Sequence, residues 1–158
     1  MCYAKIDMKS ALLKNRKGFT LIELIVTIGV LAILLTTVLI AINPARQFAQ
    51  ADNTKRRSDV NAILNAISQY RSDHKGLLPI AITTTAQNIS NTGTDICADI
   101  LITYIPALPS DPKAANGGIK IKNCTTYDTE YQVVKDASNR ITVSAPLAEL
   151  TEIISITR

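Results

Sequence analysis

Apolar residues are distributed unevenly along this chain of 158 residues. Residues 21–42 form one apolar run that carries a single charge, Glu23. As a helix, 22 residues reach about 33 Å, enough to cross the hydrocarbon core of a bilayer. The pattern changes at Pro44. Val60, Ile63, Leu64, Ile67 and Tyr70 recur at helical spacing, with Asp59, Asn61, Asn65 and Ser68 between them. This predicts an amphipathic helix over residues 53–75 whose apolar stripe needs a sheet to cover. His74, Lys75 and Gly76 close it, with cationic side chains in the last turn and a glycine cap.

Beyond residue 80 the pattern shortens. Residues 82–95 are rich in Thr, Asn and Ser and read as a surface loop. Residues 97–104 read as a short helix with Cys97, Leu101 and Tyr104 on one side, ended by Pro106, Pro109 and Pro112. Residues 130–134 and 140–144 alternate and are rich in β-branched residues. The turn-forming run 136–139 between them makes an antiparallel hairpin. Residues 120–122 are expected to form an edge strand guarded by Lys120 and Lys122. Residues 153–156 offer a last strand or a short tail. Tyr131, Val133, Ile141 and Val143 are expected to face Val60, Ile63 and Ile67. The fold class is α+β, one long N-terminal helix with its outer half packed on a small antiparallel sheet.

Charge adds a second asymmetry. The chain has 17 basic and 13 acidic side chains. Lys5, Lys9, Lys14, Arg16 and Lys17 lie in the first 18 residues against Asp7 alone, so the remainder holds twelve of each sign. The basicity is therefore that of the N-terminal segment, which keeps that end cytoplasmic by the positive-inside rule and sends the rest outward. A nucleic-acid partner is not implied by a neutral remainder that lacks an aromatic-and-basic groove. Of the three cysteines, Cys2 falls in the basic segment. Cys97 and Cys124 remain as an even pair in an exported domain, which favours a disulfide; two buried thiols are the alternative.

The chemistry concentrates at the start of the apolar run. A carboxylate there is costly, about 3 kcal/mol on insertion scales, and such a residue is read as functional with a partner to be named. Lys14, Asn15, Arg16, Lys17 and Gly18 are followed by Phe19, Thr20, Leu21, Ile22 and Glu23. Cleavage after Gly18 would supply the partner, a new α-amino group on Phe19.

This run resembles the class III leader of type IV pilins and of the pseudopilins of type II secretion. The resemblance implies a pilin-like lollipop with Gly18 as the cleavage residue, Phe19 as the N-methylated first residue, and Phe19 with Glu23 as the assembly pair. It implies three parts: a cleaved leader, 1–18; a transmembrane and filament-core half of the N-terminal helix, 19–43; and an exported globular domain, 44–158. It also implies a prepilin peptidase, an inner-membrane assembly platform, the lipid bilayer and other copies of the chain as partners. The mature subunit then sits in the inner membrane and afterwards in an extracellular or periplasmic filament. Gly29 and Pro44 bear on the helix, since glycine costs about 1 and interior proline about 3 kcal/mol. The residues alone allow one helix to end at Asn43 and a second to begin at Pro44. The resemblance implies one long helix kinked at Gly29 and Pro44.

Two other readings fit the apolar run. An ordinary signal peptide would use Ala49, Gln50 and Ala51 as its cleavage site, but its apolar region has about 7–15 residues. A plain signal anchor leaves the Gly, Phe and Glu spacing unexplained.

The remaining candidates are weaker. Lys55, Arg56 and Arg57 read as a solvated face beside Asp52 and Asp59, with inter-subunit salt bridges in a filament, and then membrane phosphate or DNA, as the alternatives. His74 reads as a helix-end cation, and no nucleophile–base constellation surrounds it, so no enzyme is indicated. Asn88 and Asn123 fit glycosylation sequons, a frequent chance match. Residues 107–112 resemble a turn seen in many pilins and major pseudopilins, with Asp111 accepting backbone donors. A calcium ion held by Asp111, Asp128 and Glu130 is the alternative there. The leading expectation is a type IV pilus subunit. A type II secretion pseudopilin, or a minor pilin binding DNA at a filament tip, are the alternatives.

Overall fold

The computed structural model describes residues 18–158, so the leader assignment over residues 1–17 lies outside the described residues. The chain divides into two compact units, Met1–Asn43 and Pro44–Arg158.

The described part of the first unit is α1, Leu21–Ala41. Leucine, isoleucine and alanine make it a good helix, and none of its residues is buried. Thr27, Thr36 and Thr37 donate their hydroxyls to the carbonyls of Leu24, Ala32 and Leu34, all at 2.8 Å. No polar group of these side chains is therefore left to solvent, as an apolar environment requires. Gly29 lies inside α1 and does not break it.

The helix stops at Ile42, whose backbone is extended at φ −95° and ψ 102°. Asn43 precedes a proline, and the proline ring disfavours helical geometry at the residue before it. Pro44 then opens α2, Pro44–Asp73, where its missing N–H costs nothing. Pro44 thus begins a second helix instead of kinking a continuous one. The amphipathic helix is also longer than the 53–75 read from its stripe, because residues 44–52 are helical with little to bury. Its end is as expected. Gly76, at φ 89°, donates its N–H to Arg71 O at 2.8 Å and closes the last turn.

In the second unit a four-stranded antiparallel sheet runs in the order β1-β2-β3-β4. The strands are β1, Gln87–Ser90; β2, Asp128–Lys135; β3, Ile141–Ala145; and β4, Ile154–Thr157. β2 and β3 are the expected hairpin. Asp136 organises its turn, accepting the N–H of Ser138 and Arg140 at 2.8 and 2.9 Å. β4 is the last strand anticipated at 153–156. The alternation puts Tyr131, Val133, Ile141 and Val143 in one core with Val60, Ile63, Leu64 and Ile67 of α2.

Three elements differ from the sequence reading. Residues 82–95 contain β1, paired to β2 across an irregular register between Asn88 and Ser90. The helix at Cys97, α3, ends at Ile100, because Leu101 turns extended and Ile102 takes φ 72°. Residues 120–122 form no strand; Ile121 makes an isolated bridge to Leu108.

Cys97 and Cys124 form a disulfide with Cα atoms 5.6 Å apart. Cys97 is buried beside Ile96 and Ile100, so the bridge ties the 121–127 loop to the core. Closing a 27-residue separation constrains the unfolded chain by roughly 3–4 kcal/mol on the entropy model. Reduction of the detergent-solubilised chain is expected to lower its urea midpoint accordingly; an unchanged midpoint would show that the bridge adds no stability.

Candidate functional site

The N-terminal constellation is built by the first turn of α1. Thr20 is the N-cap, extended at φ −80° and ψ 152°, and its hydroxyl accepts the N–H of Glu23 at 3.2 Å. Threonine followed three residues later by glutamate is a capping-box sequence, which fixes where the helix begins. Glu23 thereby sits in the first turn, where the helix dipole favours negative charge. Its exposed position leaves the carboxylate open to a neighbour. Phe19, 85% exposed, precedes the cap. Gly18 has open space around it, with nothing within 4 Å of where a Cβ would lie. Gly18, Phe19 and Glu23 therefore occupy one accessible stretch at the head of an apolar helix. From Leu21 to Ile42 the large apolar side chains remain exposed. By length and composition α1 is able to cross a membrane.

A second polar cluster lies in the other unit. Arg56 is fully buried and makes a two-pronged bond to Asp111, Nε to Oδ2 at 2.7 Å and Nη2 to Oδ1 at 3.0 Å. Its Nη1 reaches Asn53 Oδ1 at 2.9 Å and Glu149 Oε2 at 3.2 Å. Asn53 also accepts from Glu149 N and donates to Glu149 O, at 2.9 and 2.8 Å. Lys113 pairs with Glu149 and Arg57 with Glu152. The cluster ties α2 to the 110–118 loop and to the segment before β4. Nearby, Tyr131 donates to Asp59 Oδ2 at 2.9 Å.

This overturns the solvated-face reading for Arg56, while Arg57 stays exposed and Lys55 half-exposed. Arg56 is buried, Arg57 pairs with Glu152, and Lys55 donates to the carbonyls of Ser110 and Gly118 at 3.2 and 3.3 Å. Each of the three cations is engaged within the head, Arg56 in the core and Lys55 and Arg57 at its surface. The signal was in the sequence. Carried back at helical spacing, the stripe from Val60 reaches Arg56 and Asn53. A buried arginine requires a carboxylate, which Asp111 supplies. The turn role of Asp111 holds as well, since Lys113 N donates to its Oδ1 at 2.8 Å.

The calcium alternative does not fit. Both oxygens of Asp111 serve Arg56, and a second cation beside a guanidinium would be repelled. Asp128 and Glu130 line a separate cleft of about 300 Å³ that Asp111 does not line. Among the described residues no three His, Cys, Asp or Glu gather at ligand spacing. His74 follows α2 and stacks on Tyr70 at 3.9 Å between ring centroids.

The charges shape titration. The bond to Asp111 holds the Arg56 guanidinium above its already high value, against the opposing effect of burial. Burial raises Asp59 although Tyr131 bonds to it. Glu149 is held below the ordinary carboxylate range, first by Lys113 and further by Arg56. Its pairing therefore stabilises the fold above the unfolded value of about 4.3, and that stability is lost as pH falls through the lower folded value.

Two outcomes follow for the detergent-solubilised chain. Arg56→Met strands Asp111 in the core and is expected to cost about 3–5 kcal/mol in urea unfolding, while adding Asp111→Leu recovers most of that loss. A double variant as unstable as the single one would contradict the pairing. Glu149→Gln is expected to flatten the fall in stability below about pH 4.3; an unaltered acid limb would show that Glu149 contributes nothing there.

No curated protein and no solved structure matches the chain. A family model does. Residues 13–39 match the prokaryotic N-terminal methylation motif, and the match takes in Gly18, Phe19, Thr20 and Glu23 together with most of α1. The match is to the class III prepilin leader found in type IV pilins and pseudopilins.

Proposed function

We propose that this chain is a structural subunit of a type IV pilus. The observation that carries the reading is the placement of Glu23, a carboxylate in the first turn of a helix that is otherwise apolar and exposed along its whole length. A prepilin peptidase cuts after Gly18 and methylates Phe19, removing the cationic segment that no apolar helix bundle could absorb. The methylated amine keeps its positive charge. Before assembly the subunit rests in the inner membrane on α1, with residues 44–158 exported. An assembly platform there transfers it to the filament. In the filament, the Phe19 amine of one copy pairs with Glu23 of the next.

The pair sets register and recruitment more than adhesion. An ion pair in low dielectric is strong, yet desolvating its members consumes most of the gain. Adhesion comes from the apolar surface of α1, from Leu24 to Ile42, packed helix on helix at about 25 cal/mol per Å². Outside the bilayer that surface has no lipid to cover it. Thr20 serves the same end by fixing the first turn, so that residues 19 and 23 keep a constant separation.

Mass spectrometry of the protein from its native host is expected to find a chain beginning at Phe19 with one added methyl group. Retention of residues 1–18, or a start at Asp52, would refute the processing step. Glu23→Ala is expected to insert in the membrane and fold its head normally but to fail in assembly. Filaments at the normal level in that variant would refute the register role.

A further inference from the structure

The two edges of the sheet are treated differently. At the β1 edge, Asn88 O accepts the N–H of Thr94 at 2.8 Å, and Gly93 lies so close that a Cβ there would stand 2.4 Å from that oxygen. A loop thus covers the outward groups of β1. At the other edge, β4 pairs with β3 in the register Val143 to Ile156 and Ala145 to Ile154, and Ile141 and Arg158 exchange backbone bonds at 2.7 and 2.9 Å. Hydrogen-bonded pairs alternate in an antiparallel ladder. Ile154, Ile156 and Arg158 therefore face β3, and the N–H and C=O groups of Ser155 and Thr157 face outward. Among the described residues they meet no partner.

The edge is guarded only lightly, by the shortness of β4 and by the charge of Arg158. Residues 153–158 read Ile, Ile, Ser, Ile, Thr, Arg, without lysine or proline. Natural edges normally carry such devices. Ile153, just before the strand, is 93% exposed.

We propose that the β4 edge is an interaction surface that takes the same strand of a second copy of this chain, antiparallel, about a two-fold axis through Ser155. The register is self-complementary. It sets Ser155 against Ser155 of the second copy and Ile153 against the second copy's Thr157, and all of these groups point outward. It also sets Glu152 against the second copy's Arg158, and the reverse, so that opposite charges meet at both ends. Both groups have capacity to spare. Arg57 and Asn53 engage Glu152 through Oε2, leaving Oε1, and Asn65 engages Arg158 through Nη1 alone. Half-buried Ile156 gains cover from the second copy's Ile154 on the α2 side of the sheet. A register shifted by two residues loses both charge pairs.

A two-fold contact cannot be the repeat of a polar filament, where successive subunits meet through unlike surfaces. It joins heads from separate filaments, so its role is lateral bundling. That role rests on the filament reading above; the strand pairing itself does not.

Cysteine cross-linking tests the register in a Cys2→Ser background of the detergent-solubilised chain. Opposed residues of a hydrogen-bonded pair lie about 5.5 Å apart at Cα, within disulfide reach. Ser155→Cys is expected to give a disulfide-linked dimer under mild oxidation. Ile153→Cys and Thr157→Cys are expected to do so when mixed, but neither alone. Cross-linking by Ile153→Cys alone, or none by Ser155→Cys, overturns the proposal. Ser155→Pro removes an N–H that β3 does not use, so β4 stays in place. It is expected to leave filaments intact and abolish their bundling; bundles that persist overturn the bundling role. Glu23→Ala separates the two readings, since it is expected to remove filaments while leaving Ser155→Cys cross-linking in detergent unchanged.

Discussion

A carboxylate at the head of an apolar helix limits what α1 can be used for. Glu23 draws some support from its own helix, through the Thr20 cap and the dipole of the first turn. Those contributions amount to about 1–2 kcal/mol between them, less than the cost of about 3 kcal/mol of placing the charge within lipid. Under the proposed function the deficit is met by a cation from outside the helix. An α-amino group released four residues earlier has the right charge, and in a neighbouring copy it has the right freedom to reach. The rest of α1 is consistent with that use: its hydroxyls are satisfied within the helix and its apolar side chains point outward on every side.

The head solves a different problem. A small sheet covers one stripe of α2, and the area buried is modest for a domain of this size. Two devices hold the parts that the sheet does not reach. The Cys97–Cys124 bridge fastens the 121–127 loop, and the Arg56 cluster fastens the 110–118 loop and the segment leading into β4. A buried ion pair adds little net stability over an apolar replacement. Its value here lies in geometry. Arg56 accepts only partners that match its planar fork, so Asp111, Asn53 and Glu149 each have one place to be. The cluster thereby sets the position from which β4 starts and the edge it presents.

Much of this was legible from residue pattern. The apolar run, the α2 stripe, the β2–β3 hairpin and the cysteine pair each announce themselves through local periodicity or parity, which is the information a single sequence holds best. Pro44 was legible only in part. Its chemistry allowed both a helix start and a kink, and the extended backbone at Ile42 decided for the start. β1 was hidden because Gln87–Ser90 is short, polar and set among turn formers, and its pairing with β2 is a non-local bond with no local trace. The largest error concerned Arg56. Three consecutive cations look solvated, and only the stripe extended backwards from Val60 would have shown that the middle one points inward to Asp111. Charge invites an assumption of exposure that a matched carboxylate far along the chain can reverse.

The central claim is that the Phe19 amine of one subunit is neutralised by Glu23 of another. Solid-state NMR on filaments assembled from a mixture of two chains addresses it directly, one labelled with ¹⁵N at the Phe19 amine and the other with ¹³C at the Glu23 carboxyl. A dipolar contact between the two labels at salt-bridge distance is the expected result. Mixed filaments that give no such contact would contradict it.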